Sequence, residues 1–286
     1  MVDEVIAALA PQRGEIAADC TLGYGGHAQE ILPQLLPGGH LLGLDADPIE
    51  LPKTEARLRA LGFDADVFTA HRSNFAGLPQ VLARAGFDRA DVVVADLGVS
   101  SMQLDDPARG FSLKHAGPLD MRMNPRRGQP ASMLIENTPA DQLASLLIEN
   151  ADEPHAAAIA PALARKQFAS TLALAAAIRA AIPRAREDDR ELSVRRVFQA
   201  LRIAVNDEFS ALDNFLRFLP DCLAAGGRVA ILTFHSGEDR RVKKAFAAGL
   251  REGRYTAIAE DVIRASAAER HANPRSVSAK LRWARA

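Results

Sequence analysis

A glycine-rich turn between a buried strand pattern and a helical pattern is the segment of this sequence best suited to chemistry. It spans residues 19–28 and reads DCTLGYGGHA. Glycines at such a turn let backbone N–H groups approach a ligand closely. Asp45 ends the next buried stretch, where a carboxylate accepts hydrogen bonds from the ribose hydroxyls of a nucleoside. The turn and this carboxylate together predict a nucleoside-binding edge.

Two further carboxylates favour a cationic cofactor at that edge. Asp19 directly precedes the glycines, where it would repel a pyrophosphate and attract an ammonium or sulfonium group. Asp96 ends the stretch ADVVVAD, and open α/β sheets bind ligands beyond the carboxyl ends of their strands. Both features favour S-adenosylmethionine over NAD. The spacing Gly23-x-Gly25-x-x-Ala28 also satisfies the relaxed dinucleotide pattern, so an NAD-dependent oxidoreductase stays open as an alternative.

The elements that must position these residues alternate between two periodicities. Strands are predicted at 14–21, 40–45, 64–70 and 90–97, and helices at 27–36 and 48–61. Strand–helix alternation with short connections predicts right-handed crossovers and a mostly parallel sheet. The fold class is therefore α/β.

The strand pattern stops near residue 104 and resumes near the end of the chain. Alanine-rich helices are predicted at 139–150, 154–166 and 171–181, a charged exposed loop at 184–191, and an amphipathic helical pattern at 193–225 that Pro220 ends or kinks. Strands follow at 228–234, 255–263 and 278–286. We therefore predict an α/β domain of residues 1–104 and 196–286, with a helical domain of residues 105–195 inserted into it.

Composition narrows the class of protein. The 35 Lys+Arg and 36 Asp+Glu residues give a net charge of −1, so an anionic partner must be met by local basic patches. Cys20 and Cys222 lie in apolar stretches and indicate free thiols in a reducing compartment. The sequence shows no signal peptide, no spanning segment and no Cys/His set with metal-ligand spacing. It predicts a soluble cytoplasmic protein with no membrane partner and no metal.

Seven segments, in family order and over nearly the whole chain, resemble the bacterial small-subunit ribosomal RNA cytosine-N4 methyltransferases. They are TLGYGGH at 21–27, DLGVSSMQLD at 96–105, RGFS at 109–112, DMRM at 120–123, FQALRIAVNDE at 198–208, GGR at 226–228 with FHSGEDRRVK at 234–243, and NPRS at 273–276. The chain departs from the family pattern where it begins, at Gly237 in place of the usual leucine, and at 149–153 in place of a Tyr-Gly-Glu-Glu motif.

The resemblance implies a Rossmann-like class I methyltransferase fold, with a mostly parallel seven-stranded sheet and an inserted all-helical domain. It implies an enzyme that transfers a methyl group from S-adenosylmethionine to the exocyclic N4 of a cytidine in 16S ribosomal RNA. The partner would be that RNA or the small ribosomal subunit, and a homodimer stays open. A third hypothesis is a non-catalytic RNA-binding assembly factor with a vestigial nucleoside pocket.

The resemblance also implies the site residues. Cofactor contacts are expected at Gly25, Gly26, His27, Asp45, Phe75, Asp96 and Gln103, and substrate contacts at Ser100, Ser101, Arg109, His235 and Ser236. Asp96 is the candidate catalytic residue, because its carboxylate could accept a hydrogen bond from the cytosine amine during transfer.

Three basic clusters are candidates for RNA phosphates, although charge runs on helices are more often solvated faces. They are Arg109, Arg122, Arg126 and Arg127; Arg195, Arg196 and Arg202; and Arg240, Arg241, Lys243 and Lys244.

Overall fold

The computed structural model describes residues 1–286 as two compact units. The sheet unit comprises residues 1–98 and 209–286, and the helical unit comprises residues 99–208. The second predicted domain boundary, at 195/196, is wrong, because it falls inside the helix Glu187–Asn206. That helix carries the apolar residues that close the core of the helical unit, so it belongs to that unit as a whole. The first boundary lies six residues earlier than predicted.

The chain forms thirteen α-helices and eight strands. In order they are α1 Val2–Leu9, β1 Ile16–Asp19, α2 Gly26–Leu35, β2 His40–Asp45, α3 Glu50–Ala60, β3 Phe68–Arg72, α4 Leu78–Ala85, β4 Ala90–Asp96, α5 Ser101–Asp105, α6 Ala131–Asn137, α7 Ala140–Ala151, α8 Ala156–Leu163, α9 Thr171–Ala181, α10 Glu187–Asn206, α11 Glu208–Cys222, β5 Leu223–Thr233, α12 Ser236–Arg251, β6 Ala257–Ile258, β7 Ile263–Arg264, α13 Ala267–Ala272 and β8 Lys280–Arg285.

The sheet unit is built on one sheet with the strand order β3-β2-β1-β4-β5-β8-β6, and β7 also pairs with β8. Strands β1 to β5 are parallel, and β8 runs antiparallel to β5. Buried Val, Leu and Ala side chains on both faces of β2 and β4 form two separate cores. A parallel sheet is covered on both faces, and here this arrangement brings the carboxyl ends of β1, β2 and β4 to one edge.

The main path of the sheet has seven strands, as predicted, and β7 adds an eighth short strand that pairs with β8. The strand expected at 255–263 is present only as β6 and β7, two residues each, and both pair with β8. Glu260 and Asp261, both exposed, lie between them, where charged side chains interrupt the apolar alternation that a longer strand requires.

The helical unit contains α5 to α10 around its own apolar core. Its fully buried residues recur at helical spacing, for example Leu143 and Leu147 on α7 and Val197 and Leu201 on α10. This periodicity is typical of amphipathic helices that pack one face inward. Helix α10 ends at Asn206, because Asp207 has a φ of 51°, and the unit ends one residue later, at Glu208.

Candidate active site

The glycine turn after β1 is closed on one side and open on the other. Gly23 and Gly25 have φ values of 48° and 85°, a region that favours glycine. The Gly25 amide donates to the carbonyl oxygen of Leu22 at 2.6 Å. A Cβ at Gly25 would meet Thr54 Cγ2 at 3.1 Å, whereas a Cβ at Gly26 would meet no atom within 4 Å. The turn is therefore packed against α3 and leaves space beside the start of α2.

Asp45, at the end of β2, is tied to the same turn. Its Oδ2 accepts a hydrogen bond from the Gly23 amide at 2.8 Å, and its Oδ1 accepts one from the Asp47 amide at 2.8 Å. Burial raises the pKa of Asp45, and the two amides act in the opposite direction. Each carboxylate oxygen can accept a second hydrogen bond, so the side chain can hold the turn and still accept from ribose hydroxyls.

Asp19 and Asp96 end the neighbouring strands β1 and β4, and Thr21 joins them. Asp19 Oδ1 accepts from the Thr21 amide at 3.1 Å, and Thr21 Oγ1 accepts from the Asp96 amide at 2.6 Å. Burial raises the pKa of the Asp19 carboxyl to about 7, and repulsion from Asp96 adds to this rise. Burial likewise raises the pKa of Asp96 to about 7. Both carboxyls therefore titrate near neutrality, and a nearby cation would favour their ionised forms.

Several buried polar atoms near the carboxyl ends of these strands have no hydrogen-bond partner, including Arg57 Nε beside the glycine turn and His235 Nε2 after β5. Asp96 Oδ1 and His27 Nε2 are likewise buried and make no hydrogen bond. Burial lowers the pKa of His27 to about 4, so its imidazole is neutral near pH 7. Buried polar atoms without a partner are rare in folded proteins. Asp96 Oδ1 and His27 Nε2 therefore mark the carboxyl edge of β1 and β4 as a place built to receive polar groups.

Phe75 lies just after β3, in the 3-10 turn Phe75–Gly77. It is partly buried, and its ring packs edge-on against Phe215, with 5.5 Å between ring centroids. The structure therefore gives this side chain a packing role in the sheet unit, and its contact with an adenine ring stays a prediction.

His235 caps the start of α12. Its Nδ1 accepts from the Glu238 amide at 3.4 Å, and its Nε2 lies 3.2 Å from Glu238 Oε1. Buried Glu238 also accepts from the Phe234 amide at 2.8 Å. The His235 ring lies 5.8 Å from that of Phe209. His235 is thus held by one hydrogen bond at Nδ1, while its buried Nε2 lies near Glu238 but makes no hydrogen bond. Neighbouring Ser236 is the first residue of the helix.

The remaining predicted site residues belong to the helical unit. Ser100 and Gln103 form a capping box at α5: the Gln103 amide donates to Ser100 Oγ at 3.2 Å, and the Ser100 amide donates to Gln103 Oε1 at 2.9 Å. Ser101 is exposed. Arg109 is only 7% exposed and donates to the carbonyl oxygens of two later residues of its own unit. Direct contact of Arg109 with a substrate stays a prediction.

The charges at the sheet edge discriminate between cofactor classes. The six candidate cofactor residues of the sheet unit include Asp45 and Asp96, with Asp19 beside them, and no lysine or arginine. The arginine that reaches the turn, Arg57, is stacked on the Tyr24 ring and bonded to its carbonyl oxygen. A pyrophosphate would face the carboxylates of buried Asp19 and of partly buried Asp45 and Asp96, whereas a cationic ligand would be attracted by them.

The MraW methylase family matches the chain over residues 1–286. The chain belongs to this family. It is therefore a methyltransferase, and the predictions of the family, of the α/β fold and of an enzyme of this class are confirmed. Membership of the MraW methylase family does not favour the oxidoreductase alternative.

Curated members of the family match nearly all of this chain. Ribosomal RNA small subunit methyltransferase H 2 of Alkaliphilus metalliredigens is 48% identical, over 99% of this chain and 83% of the relative. Ribosomal RNA small subunit methyltransferase H 1 of Lachnoclostridium phytofermentans is 45% identical, over 99% and 79%. The Citrifermentans bemidjiense protein named ribosomal RNA small subunit methyltransferase H is 41% identical, over 98% and 95%.

Sequence reasoning missed the side chains that hold this edge from outside the motifs. Thr54 Oγ1 donates to the Gly23 carbonyl oxygen at 2.5 Å, and Arg57 Nη2 donates to the Tyr24 carbonyl oxygen at 2.6 Å. Both residues lie on α3, and only the packing of α3 against the turn reveals their role. Thr21 lies within the glycine motif, and its hydroxyl just after β1 is a sequence signal for the hydrogen bond that joins β1 to β4.

Proposed function

We propose that this member of the MraW methylase family transfers a methyl group from S-adenosylmethionine to the exocyclic N4 of a cytidine in the 16S RNA of the small ribosomal subunit. The observation that carries the proposal is the edge at which buried Asp19 and partly buried Asp45 and Asp96 meet the glycine turn. The names of the curated relatives support a small-subunit ribosomal RNA as substrate. No helix of the chain is both long and apolar enough to span a membrane, and we place the reaction in the cytoplasm.

The residues present fit this cofactor. S-adenosylmethionine supplies an electrophilic methyl group on a sulfonium and also carries an ammonium group. Asp45 would accept hydrogen bonds from the ribose hydroxyls, and Phe75 would pack against the adenine. Gly25, Gly26 and His27 would face the amino-acid part from the start of α2, where backbone N–H groups lack helical partners. We include Gln103 of the helical unit in this set on the family resemblance.

Asp96 is the candidate catalytic residue. A cytosine amine is a weak nucleophile, because its lone pair is delocalised into the ring. An ionised carboxylate that accepts a hydrogen bond from one N–H of this amine would help the nitrogen to rehybridise. Asp96 has a buried Oδ1 with no partner and a pKa of about 7. It can therefore be ionised at neutral pH and accept such a bond, and later hold or release a proton.

The cytidine must leave any base-paired stack before its amine can reach the methyl group. We assign its contacts to Ser100, Ser101, His235 and Ser236, with His235 fixed by Glu238. The neutral imidazole of His27 adds no positive charge beside the cationic cofactor. A homodimer stays a prediction, which light scattering after size exclusion would test.

The proposal is tested by nucleoside analysis. Small ribosomal subunits and naked 16S RNA, both lacking the modification, are incubated with the protein and S-adenosylmethionine labelled at the methyl group, then digested to nucleosides. We expect label in N4-methylcytidine in the wild-type reaction and at least a hundredfold slower labelling with Asp96→Asn. Label in another nucleoside would reassign the target atom. RNA binding without any labelled nucleoside would favour the non-catalytic assembly factor instead.

A further inference from the structure

The helical unit contains a closed loop, residues 120–130, which we call the basic loop. Its two ends are joined, because the amides of Ala131 and Ser132 donate to the carbonyl oxygens of Asp120 and Leu119 at 2.8 and 2.9 Å. Compact loops of this length with adjoining ends are frequently functional. The basic loop lies between the RGFS motif and α6, and the cofactor edge of the sheet unit does not account for it.

Two side chains from distant parts of the sequence hold the first part of the basic loop. Asn206 Nδ2 donates to the Met121 carbonyl oxygen at 2.8 Å, and Asn206 Oδ1 accepts from the Met123 amide at 2.7 Å. Arg109 Nη2 donates to the carbonyl oxygens of Arg122 and Met123 at 3.1 and 2.9 Å. The carbonyl oxygens of three successive residues are therefore fixed by only two side chains.

This restraint maintains a strained backbone. Met121 has a φ of 62° although it carries a bulky side chain, which is buried. Such conformations persist only where the surroundings over-determine them, and they cluster at functional sites. The carbonyl oxygen of Arg109 also accepts a hydrogen bond from the Met121 amide at 3.1 Å. Neighbours on both sides of Met121 thus hold it in a conformation that a free loop would leave.

The four arginines of the first basic cluster are divided by the structure into two kinds. Arg109 is buried, and Arg122 forms a two-pronged ion pair with Asp120, at 2.8 and 2.7 Å. Arg126 and Arg127 are exposed and have no carboxylate partner. They sit at the tip, where their amides bond to Asn124 at 3.0 and 3.1 Å. The tip therefore presents two adjacent unneutralised positive charges on a fixed backbone.

We propose that the basic loop is a contact surface for the phosphate backbone of the RNA substrate, in which Arg126 and Arg127 touch phosphates and Asn206 and Arg109 are positioning residues. This inference rests on the proposed function, because it takes its partner from the reaction. A guanidinium matches phosphate geometry with paired donors, and a preformed loop avoids the entropic cost of ordering upon binding. Because the net charge of the chain is −1, the chain as a whole does not attract RNA, and local basic surfaces of this kind must do so.

The first test measures RNA affinity without catalysis. Binding of an unmodified 16S RNA transcript is followed by filter retention at several salt concentrations, for wild type and for Arg126→Gln/Arg127→Gln. We expect the double variant to bind about tenfold more weakly at low salt and to lose about 1.5 from the slope of log affinity against log salt. Its dissociation constant for S-adenosylmethionine should not change. The matched control is Arg184→Gln/Arg186→Gln, which removes two exposed arginines of the same unit and should leave RNA affinity within twofold of wild type.

The second test separates positioning from a general structural role. Asn206→Ala should weaken RNA binding several-fold, because the tip loses its fixed backbone. In the Arg126→Gln/Arg127→Gln background the same substitution should have almost no further effect, since it acts through those two arginines. Equal losses in both backgrounds would show that Asn206 supports the unit in general, and would overturn its assignment as a positioning residue.

The outcomes distinguish this inference from the proposed function. Wild-type affinity and salt slope in the double variant, or an equal loss in the control, would overturn the basic loop as a phosphate contact while leaving methyl transfer intact. Loss of RNA affinity in the double variant would support the basic loop as a phosphate contact. If the wild-type protein also placed label in a nucleoside other than N4-methylcytidine, the proposed target atom alone would be overturned.

Discussion

Arg57 and Tyr24 form a stacked and hydrogen-bonded pair at the glycine turn. The guanidinium carbon lies 3.5 Å from the centroid of the Tyr24 ring, and Nη2 donates to the Tyr24 carbonyl oxygen at 2.6 Å. The same Nη2 donates to Thr54 Oγ1 at 2.9 Å, and this hydroxyl donates to the Gly23 carbonyl oxygen at 2.5 Å. Two side chains of α3 therefore fix two successive carbonyl groups of the turn.

Arg57→Gln should weaken cofactor binding, because the turn loses the restraint that keeps its glycines in their left-handed conformation. We expect the dissociation constant for S-adenosylmethionine to rise about tenfold by isothermal titration calorimetry, which corresponds to about 1.4 kcal/mol. At saturating cofactor the turnover rate should fall much less. Arg59→Gln is the matched control, since Arg59 lies on the same helix but bonds to Glu55 and to the Phe63 carbonyl oxygen. Equal affinity in Arg57→Gln and wild type would contradict the role of the pair.

Asp19→Asn should make the protein more stable and bind the cofactor less well. The pKa of Asp19 in the folded protein, about 7, is higher than its usual value of 3.8. This carboxyl therefore lowers stability progressively between about pH 4 and pH 7, and the loss is constant above pH 7. At pH 8 the variant should gain about 1–3 kcal/mol in free energy of unfolding, and near pH 4 the gain should vanish. Urea unfolding at the two pH values measures this.

The same variant should lose cofactor affinity at least tenfold, because a cationic ligand loses a buried counter-charge. Asp91→Asn removes an equal charge at the other end of β4, where the carboxylate accepts from the Ile16 amide, and should retain wild-type affinity. If Asp19→Asn bound the cofactor as tightly as wild type, the assignment of the Asp19 carboxylate to the cofactor site would be wrong.

Cofactor binding should strengthen with rising pH. The pKa values of Asp19 and Asp96 are both about 7, and a cationic ligand favours the ionised carboxyls, so binding releases protons near neutrality. The dissociation constant for S-adenosylmethionine should be about tenfold lower at pH 8 than at pH 6. Calorimetry in buffers of different ionisation enthalpy should show proton release. S-adenosylhomocysteine, which lacks the sulfonium charge, should show a weaker dependence, and proton uptake with either ligand would refute the assignment.

The sequence predicts the existence and order of the strands at the cofactor edge correctly, because local patterns determine them, but β1 is shorter than the predicted 14–21 and β3 begins four residues later than predicted. β2 and α9 have the bounds that the sequence predicts, and β4 differs from its prediction by one residue. Continuous β-branched runs bounded by Gly and Asp are typical of strands buried on both faces. Since parallel strands end at one edge, the placement of Asp19, Asp45 and Asp96 follows from the strand predictions.

The region around α10 was harder to predict, because its boundaries depend on charge and packing together. The sequence predicts a loop at 184–191, but α10 begins at Glu187 with three acidic residues in its first turn, where the helix dipole favours negative charge. The amphipathic pattern at 193–225 forms two helices, because Asp207 adopts a left-handed conformation between them. Pro220 lies inside α11, two residues before the last residue of the helix, Cys222, so the helix does not end at the proline.

The positioning residues could not be predicted from the sequence at all. The family resemblance predicts a substrate contact for Arg109, and the structure shows that its guanidinium donates hydrogen bonds to carbonyl groups 13 and 14 residues further along the chain. Asn206 bonds to Met121, 85 residues away. Such contacts exist only after tertiary packing, and no spacing in the sequence encodes them.

The ion pair between Arg228 and Glu15 should be a main contributor to the stability of the sheet unit. Arg228 donates to both carboxylate oxygens of Glu15, at 2.7 and 2.9 Å. It also donates to the carbonyl oxygens of Leu9 and Ala10, each at 2.7 Å. These carbonyls end α1, so one guanidinium on β5 fixes both the end of α1 and the segment that leads into β1. The Arg228 and Glu15 side chains are only 14% and 19% exposed, and solvent therefore screens the pair little.

Arg228→Ala should lower the free energy of unfolding by about 3 kcal/mol, because a mostly buried carboxylate loses its counter-charge and the Leu9 carbonyl oxygen loses its side-chain donor. Gln12 still donates to Glu15 Oε2 and to the Ala10 carbonyl oxygen. Glu15→Gln should cost about 1 kcal/mol, since the guanidinium keeps its bonds to the end of α1. Arg254→Ala is the control: its pair with Asp221 has side chains 38% and 71% exposed, and its loss should cost less than about 1 kcal/mol. Urea unfolding followed by circular dichroism measures all three variants. If Arg228→Ala were no more destabilising than Arg254→Ala, the attachment of α1 would have to depend on its apolar contacts alone, chiefly those of buried Val5 and Leu9.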